Sequence, residues 1–333
     1  MATEPTELID DPAAKRRHPW LPVILGLTGV LVLALVALSF YVVQAWNALN
    51  EITREPGMMP TATTRPPVGE PAEGQANAPL NFVVMGSDTR GDERGRSDVL
   101  LIAHLNSARD ELYLVSFPRD MYVPIPGHGK NKINAAYSFG GTALTVETLE
   151  SLLDVRMDHL ALIDFEGFLG LSEAVGGVTV NNRIASRSGG YTFPKGEITL
   201  QGAELLAYVR QRHGLPMGDL DRAERHRAVI KALVLKLARP EILANPVTFR
   251  AIAEDIGIYI AVDDTLNNDA IVELATSVRL SGGGSIRSLQ APISGFGRSP
   301  AGASIDIVDF DQLEKLATAL RDDDMASYWK AQR

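Results

Sequence analysis

Hydrophobic positions along this chain fall into two regimes. From Pro19 to Asn50 no side chain carries a formal charge, and Leu21–Val43 is almost wholly apolar. As a helix, that run would span roughly 34 Å, enough for the hydrocarbon core of a bilayer. Buried helices of globular domains seldom run so long without a charge. Lys15-Arg16-Arg17-His18 on one side and Glu51 on the other place the N-terminus in the cytoplasm and the remainder outside. Trp20, Tyr41 and Trp46 stand near the two ends, where interfacial aromatics belong. For a cleaved signal peptide the run is too long, and no small-x-small exit follows it.

After residue 80 the apolar runs become short and periodic. Leu80–Met85, Val99–Leu105 and Leu112–Val115 read as three opening strands, with Asp, Ser or Arg at one end of each. Thr142–Leu153 has helical spacing. His159–Ile163 reads as a strand, and Phe165–Val175 as a helix stopped by Gly176-Gly177. Val178–Asn181 is a strand, and Ser186–Lys195 a turn-rich hairpin region. Helices are predicted over Leu200–Arg212 and over Asp221–Ala238, the latter N-capped by Asp221. Further helices are expected at Asn268–Leu280, Asp311–Leu320 and Met325–Gln332, with strands near Ile286–Gln290 and Ser304–Val308. This order predicts one α/β or α+β domain whose helices cover both faces of a sheet.

Between the two regimes, Glu51–Pro79 carries six prolines and almost no bulky apolar side chain. Such a composition reads as an extended stalk. The expected organisation is therefore a cytoplasmic tail (1–18), one transmembrane helix (19–45), an extracytoplasmic Pro-rich stalk (46–79) and a globular domain (80–333). A net charge of −9 and a pI near 5.2 argue against a nucleic-acid binder. The absence of cysteine excludes disulfides and thiolate metal sites. No Gly-x-Ser-x-Gly, Walker-type loop or His-Glu-x-x-His is present, so the common hydrolase, kinase and metalloprotease plans are unsupported.

The candidate chemistry lies at the strand ends. Asp88 and Asp98 border adjacent strands, so their carboxylates can converge. Two carboxylates without His or Cys suit a hard cation such as Mg²⁺, although loop aspartates also cap turns. Arg90, Arg94, Arg96 and Arg119 lie in the same opening stretch. A second basic group spans Gln201–Pro240, with eight Lys or Arg against four Asp or Glu, a local excess of cations in an acidic chain. Guanidiniums pair with phosphate oxygens in a geometry lysine cannot supply. Arg222 and His226 begin the apolar stripe of the Asp221–Ala238 helix, at its electropositive end, which makes an anion site there. A solvated basic face is the competing reading. Lys132-Ile133-Asn134 reads either as a further cation for that site or as a helix start. His104, His128, His159 and His213 show no metal spacing.

Taken together, Gly86-Ser87-Asp88-Thr89-Arg90, Arg96-Ser97-Asp98, Phe117-Pro118-Arg119-Asp120, Lys132-Ile133-Asn134, Tyr208-Val209-Arg210-Gln211-Arg212 and the Asp219…Arg222…Arg225 run resemble the LytR-CpsA-Psr family. The likeness covers Leu80 to the C-terminus. It implies a three-layer α-β-α sandwich with a mixed central sheet, whose apolar interior holds the tail of a polyprenyl phosphate. It also implies a phosphotransferase that moves a glycopolymer from a polyprenyl-pyrophosphate carrier onto peptidoglycan, assisted by Mg²⁺ or Mn²⁺. By likeness, Asp88 and Asp98 hold the metal, and Arg90, Arg119, Arg210, Arg212 and Arg222 bind the pyrophosphate. Arg96, Lys132, Arg225 and His226 are expected beside them, with Arg119 catalytic and Asp98 or Asp219 taking the acceptor's proton. The family often has Gln where this chain has His226, and the loop between Asp88 and Asp98 looks short. A polyprenyl-pyrophosphate hydrolase and a non-catalytic lipid-binding regulator are the rival readings. The expected partners are the lipid-linked glycan, peptidoglycan and the cell membrane, with no nucleic acid.

Overall fold

The computed structural model describes residues 43, 46, 47, 49, 50, 52–61, 65–87, 97–237, 254 and 260–332; for residues 87, 97, 98, 165 and 166 it describes the backbone. The chain divides into two compact units, Met1–Gln44 and Ala45–Arg333, and everything below concerns the second. The expected transmembrane helix lies outside the described residues, save for residue 43. Among the described residues, no helix is long and apolar enough to cross a membrane.

In chain order the strands and helices are β1 (Thr53–Glu55), β2 (Leu80–Ser87), β3 (Ser97–Leu105), β4 (Leu112–Ser116), β5 (Tyr122–Ile125), β6 (Gly129–Lys132), α1 (Ala135–Leu153), β7 (His159–Asp164), α2 (Phe165–Ala174), β8 (Val178–Asn182), β9 (Ser186–Ser188), β10 (Tyr191–Phe193) and β11 (Gly196–Leu200). Then come α3 (Gly202–Arg210), α4 (Asp219–Leu237), β12 (Ile260–Asp263), α5 (Asn268–Ser277), β13 (Ile286–Gln290), β14 (Ile293–Arg298), β15 (Ser304–Val308), α6 (Phe310–Arg321) and α7 (Met325–Ala331).

Seven strands form a mixed central sheet in the order β1-β12-β7-β2-β3-β4-β13. The β2–β7 and β4–β13 pairs are parallel, whereas β3 runs antiparallel to both β2 and β4. The sheet buries both faces because its strands carry apolar residues at successive positions, not at alternate ones. Val83, Met85, Ile102 and Val115 pack against α1, α6 and α7. Leu101, Leu105, Leu112 and Leu114 pack against Ile230 and Val234 of α4 and Leu274 of α5. A further apolar cluster joins α2, β8, α3 and the Val229–Leu233 part of α4. Since β2, β4 and β7 point the same way, their C-terminal ends share one rim of the sheet with the start of β3. Ligands of open α/β sheets collect at such a rim.

Several expected boundaries move. The first long helix begins at Ala135, seven residues early, and Gly141 (φ 70°, ψ −153°) breaks it ahead of the expected Thr142–Leu153 segment. Helix α3 starts at Gly202, since Leu200 ends β11 in a hairpin with β8. Helix α4 starts at Asp219, and Asp221 lies inside its first turn, accepting a hydrogen bond from Met217 N (2.7 Å). The freestanding stalk is also corrected over the described part of 46–79. Residues Thr53–Glu55 add a parallel strand to the sheet edge, and Met58 is only 3% exposed within the main core. Arg65 forms a two-pronged ion pair with buried Glu150 and donates to Met157 O. Two anchors outweigh a Pro-rich composition, because each buries a side chain in a site prepared by α1.

Candidate active site

Four segments meet at the rim. After β4, Phe117 and Met121 are buried on either side of a turn closed by Met121 N to Pro118 O (3.0 Å). These two anchors project Arg119 and Asp120 outward. Gly218 (φ 52°) takes a left-handed turn just before α4, which sets Asp219 at the helix N-terminus. There the helix dipole favours a negative charge.

Asp219 is the hub. Its Oδ2 lies 3.1 Å from Arg119 Nε and 2.9 Å from Arg222 Nη2, and its Oδ1 lies 3.5 Å from Arg212 Nε. Lys132 joins through Asp120, whose Oδ1 it meets at 2.8 Å and whose Oδ2 is 3.8 Å from Arg119. Lys132 ends β6, just before α1, so its segment serves as a helix approach and as a source of a cation. The pocket floored by Ser116, Phe117 and Pro118 and walled by Arg119, Arg222 and Arg227 has a volume of about 20 Å³, room for roughly one water. Arg119 and Arg222 meet on Asp219 at its edge.

Behind this polar mouth lies an apolar cavity of about 250 Å³. Val84, Val99, Ala161 and Ile163 of the sheet form one wall, with Phe168 and Leu171 of α2 and Ile230 and Leu233 of α4 opposite. Gly86 also lines it, and a Cβ there would sit 2.9 Å from Val99 Cβ, so any side chain would disturb the β2–β3 pairing at the cavity wall. His226 borders both spaces. Its Nε2 lies 2.8 Å from Val209 O, which fixes Nε2 as the protonated nitrogen.

Arg225, expected beside these residues, is held by other partners. Arg225 sits 4.1 Å over the Tyr208 ring, donates to Tyr208 O (3.1 Å) and Gln211 Oε1 (2.9 Å), and reaches Ser186 Oγ (2.8 Å). Burial pushes its guanidinium below the ordinary value. Its acceptors are internal, so the structure places it in the core beneath the pocket. Arg210 ends α3, two residues before Arg212. Asp88, Arg90, Arg94 and Arg96 lie outside the described residues, as does the side chain of Asp98. The backbone pairs Ser87 with Ser97 and with Asp164, so the ends flanking that loop reach the same rim.

Two residues that the sequence reading did not single out for the site stand out. Arg227, whose Nη1 donates to Ser116 Oγ, walls the pocket, and burial pushes it down to about 10. Asp306 on β15 is 7% exposed, and its N–H bonds Asp120 O (2.9 Å). Burial, with Asp120 and Asp219 nearby, pushes its carboxyl up to about 6 against the pull of Lys132 and Arg119. Asp306 shares a strand face with core residue Val308, which was the available signal.

The arrangement is that of a mixed α/β domain with a cationic mouth on an apolar cavity, suited to the charged head and greasy tail of an amphiphile. Comparison with known proteins makes the class specific. The chain belongs to the LytR_cpsA_psr family, which matches residues 45–322. It is 43% identical over 159 residues to the polyisoprenyl-teichoic acid–peptidoglycan teichoic acid transferase TagU of Bacillus subtilis (strain 168), covering 47% of this chain and 52% of that protein. Against the Enterococcus faecalis protein of the same name it is 34% identical over 250 residues, covering 73% and 79%. The match thus spans about half the length of the first relative. Among solved structures, B. subtilis TagV aligns with a TM-score of 0.63 at 29% identity, over 74% of this chain and 97% of that one. TagT bound to LI-WTA aligns with a TM-score of 0.61 at 26% identity, over 80% and 98%.

Proposed function

We propose that this chain is a membrane-anchored phosphotransferase that moves a glycopolymer from a polyprenyl-pyrophosphate carrier onto peptidoglycan. The single observation that carries the reading is the junction at His226, where an arginine mouth opens on an apolar cavity. The names of the relatives support a teichoic-acid-like polymer as cargo. We place the pyrophosphate among Arg119, Arg212 and Arg222, displacing Asp219, with Arg90, Arg96, Arg210 and Lys132 alongside. The polyprenyl tail enters the cavity beneath. The apolar N-terminal segment supplies a single membrane span over 19–45, and the sheet with helices on both faces is the three-layer α-β-α sandwich of the family. Asp88 and Asp98 would hold Mg²⁺ or Mn²⁺, since paired carboxylates without His or Cys match a hard cation. Bound there, the ion would shield phosphate charge.

In the reaction, an acceptor sugar hydroxyl attacks the phosphorus that carries the glycan. A new P–O bond forms, the bond to the bridging oxygen breaks, and polyprenyl phosphate departs with the electron pair. Arg119 and Arg222 neutralise charge gathering on that leaving group, and such electrostatics dominate phosphoryl transfer. Asp219, which holds the three guanidiniums together in the structure, gives them up to the pyrophosphate. The hydroxyl proton goes to a carboxylate at the mouth, Asp98 or Asp306, the latter held where a general base works near neutral pH. Product analysis with purified full-length protein, a polyprenyl-pyrophosphate glycan and peptidoglycan tests the reading. Glycan linked to peptidoglycan and release of polyprenyl phosphate support it. Water-dependent release without an acceptor would make the chain a hydrolase, and no turnover would make it a lipid-binding regulator.

A further inference from the structure

A cavity of about 630 Å³ lies away from the arginine mouth, at the β13 edge of the sheet. Lys231 of α4, Arg287 of β13 and Trp329 and Lys330 of α7 line it, and Gly283 and Gly284 leave its mouth open. Three cations and an indole thus face one space, and among the described residues no carboxylate lines it. Arg287 is held in place by Glu111 (2.5 Å) and by stacking 5.3 Å over the Tyr113 ring. Lys231 donates to Ile286 O, and burial together with Arg287 pushes its ammonium below the ordinary value. A partly buried cation beside a like charge is held at a cost that an anionic ligand would relieve.

This cavity and the arginine mouth both draw cations from α4. Along α4, Arg222 and Arg227 wall the mouth, and Lys231 follows Arg227 by one helical turn. From Arg222 to Lys231 the helix rises roughly 13 Å. Positive side chains therefore step from the reacting phosphates to the sheet edge. Trp329 offers a flat apolar ring of the kind that stacks on sugars, and lysines bind anions as point charges without a fixed fork. Repeated negative charge combined with sugar rings is the chemistry of an anionic glycan. A lipid headgroup is the weaker match, because it offers one anionic group to a space lined by three cations.

We propose that the β13-edge cavity docks an anionic glycan chain, namely the polymer attached to the pyrophosphate donor, through Lys231, Lys330 and Trp329. This rests on the transferase reading and adds a track for the cargo. The test uses full-length protein in detergent and the K231Q/K330E double variant, with melting temperature measured on both. Binding of labelled poly(glycerol phosphate) is followed first, with neutral dextran and anionic lipid vesicles as controls. The variant is expected to bind the polymer about tenfold more weakly, with dextran bound by neither protein and vesicle binding equal. In transfer, KM for a long anionic donor should rise about tenfold, with kcat unchanged and a disaccharide donor unaffected. Equal polymer binding by both proteins overturns the proposal, and so does a loss confined to vesicles, which would assign the cavity to lipid. Polymer binding lost in the variant while no donor is ever transferred would overturn the transferase reading and leave the docking site standing.

Discussion

Arg222 and Arg225 are three residues apart on one helix and each is 4% exposed, yet they do opposite work. Arg222 is turned to Asp219 at a rim where Arg119 and Arg212 also converge, and in the proposed function a pyrophosphate replaces that carboxylate. Arg225 is enclosed by the Tyr208 ring, two carbonyls, Gln211 and Ser186, none of which a ligand could displace without unfolding the corner. The difference teaches that burial alone does not mark a binding arginine. What matters is whether its partner is exchangeable. A half-exposed carboxylate shared by three guanidiniums is exchangeable, whereas a cage of neutral acceptors is architecture.

The largest effect should come from breaking the first half of that comparison. Arg119→Ala or Arg222→Ala should lower transfer on the order of 10²–10³-fold while the melting temperature holds, as read by product formation and thermal unfolding. Arg225→Ala should do the reverse, costing about 3 kcal/mol of stability in a denaturant titration. Arg225→Lys should recover little of it, since a single ammonium cannot satisfy acceptors on several sides.

Asp306 sharpens the comparison by its pH dependence. Its carboxyl is held at about 6 in the folded chain, above its ordinary 3.8. Between about pH 4 and pH 6 the folded form therefore keeps a proton that the unfolded form has lost, so stability falls as pH rises through that window. The penalty is complete above it and absent below it. Asp306→Asn should remove the penalty, raising stability at pH 7 by about 1–2 kcal/mol and flattening the acid limb. The smallest effect belongs to the cage: Ser186→Ala deletes the hydrogen bond that Ser186 accepts from Arg225 and the one it donates to Gln211, and should cost about 1–2 kcal/mol, with transfer unchanged.

Much of this was legible in the residues. Short continuous apolar runs located β2, β3, β4 and β7, and Gly176-Gly177 located the end of α2. The Phe117-Pro118-Arg119-Asp120 and Asp219…Arg222 segments pointed to a common anion site, and the fold brings Arg119, Arg212 and Arg222 onto Asp219. Sequence could not separate Arg222 from Arg225, because both open the apolar stripe of α4 and the cage comes from β9 and α3. Docking of Met58 and Arg65 was not legible because each is a single anchor, and Glu150, the partner of Arg65, lies 85 residues on. Short strands such as β1 and β12 carry too few residues to show a period. Asp306 was a lone carboxylate in an edge hairpin until the fold set it beside Asp120.

The most direct measurement is calorimetric binding of inorganic pyrophosphate to the full-length protein, its Arg222→Ala variant and its Arg225→Lys variant, at one pH and salt concentration. The account predicts that Arg222→Ala weakens binding at least about tenfold, while Arg225→Lys, to the extent that it folds, binds as the parent does. Equal affinity in the parent and Arg222→Ala, with the loss appearing in Arg225→Lys instead, would contradict it.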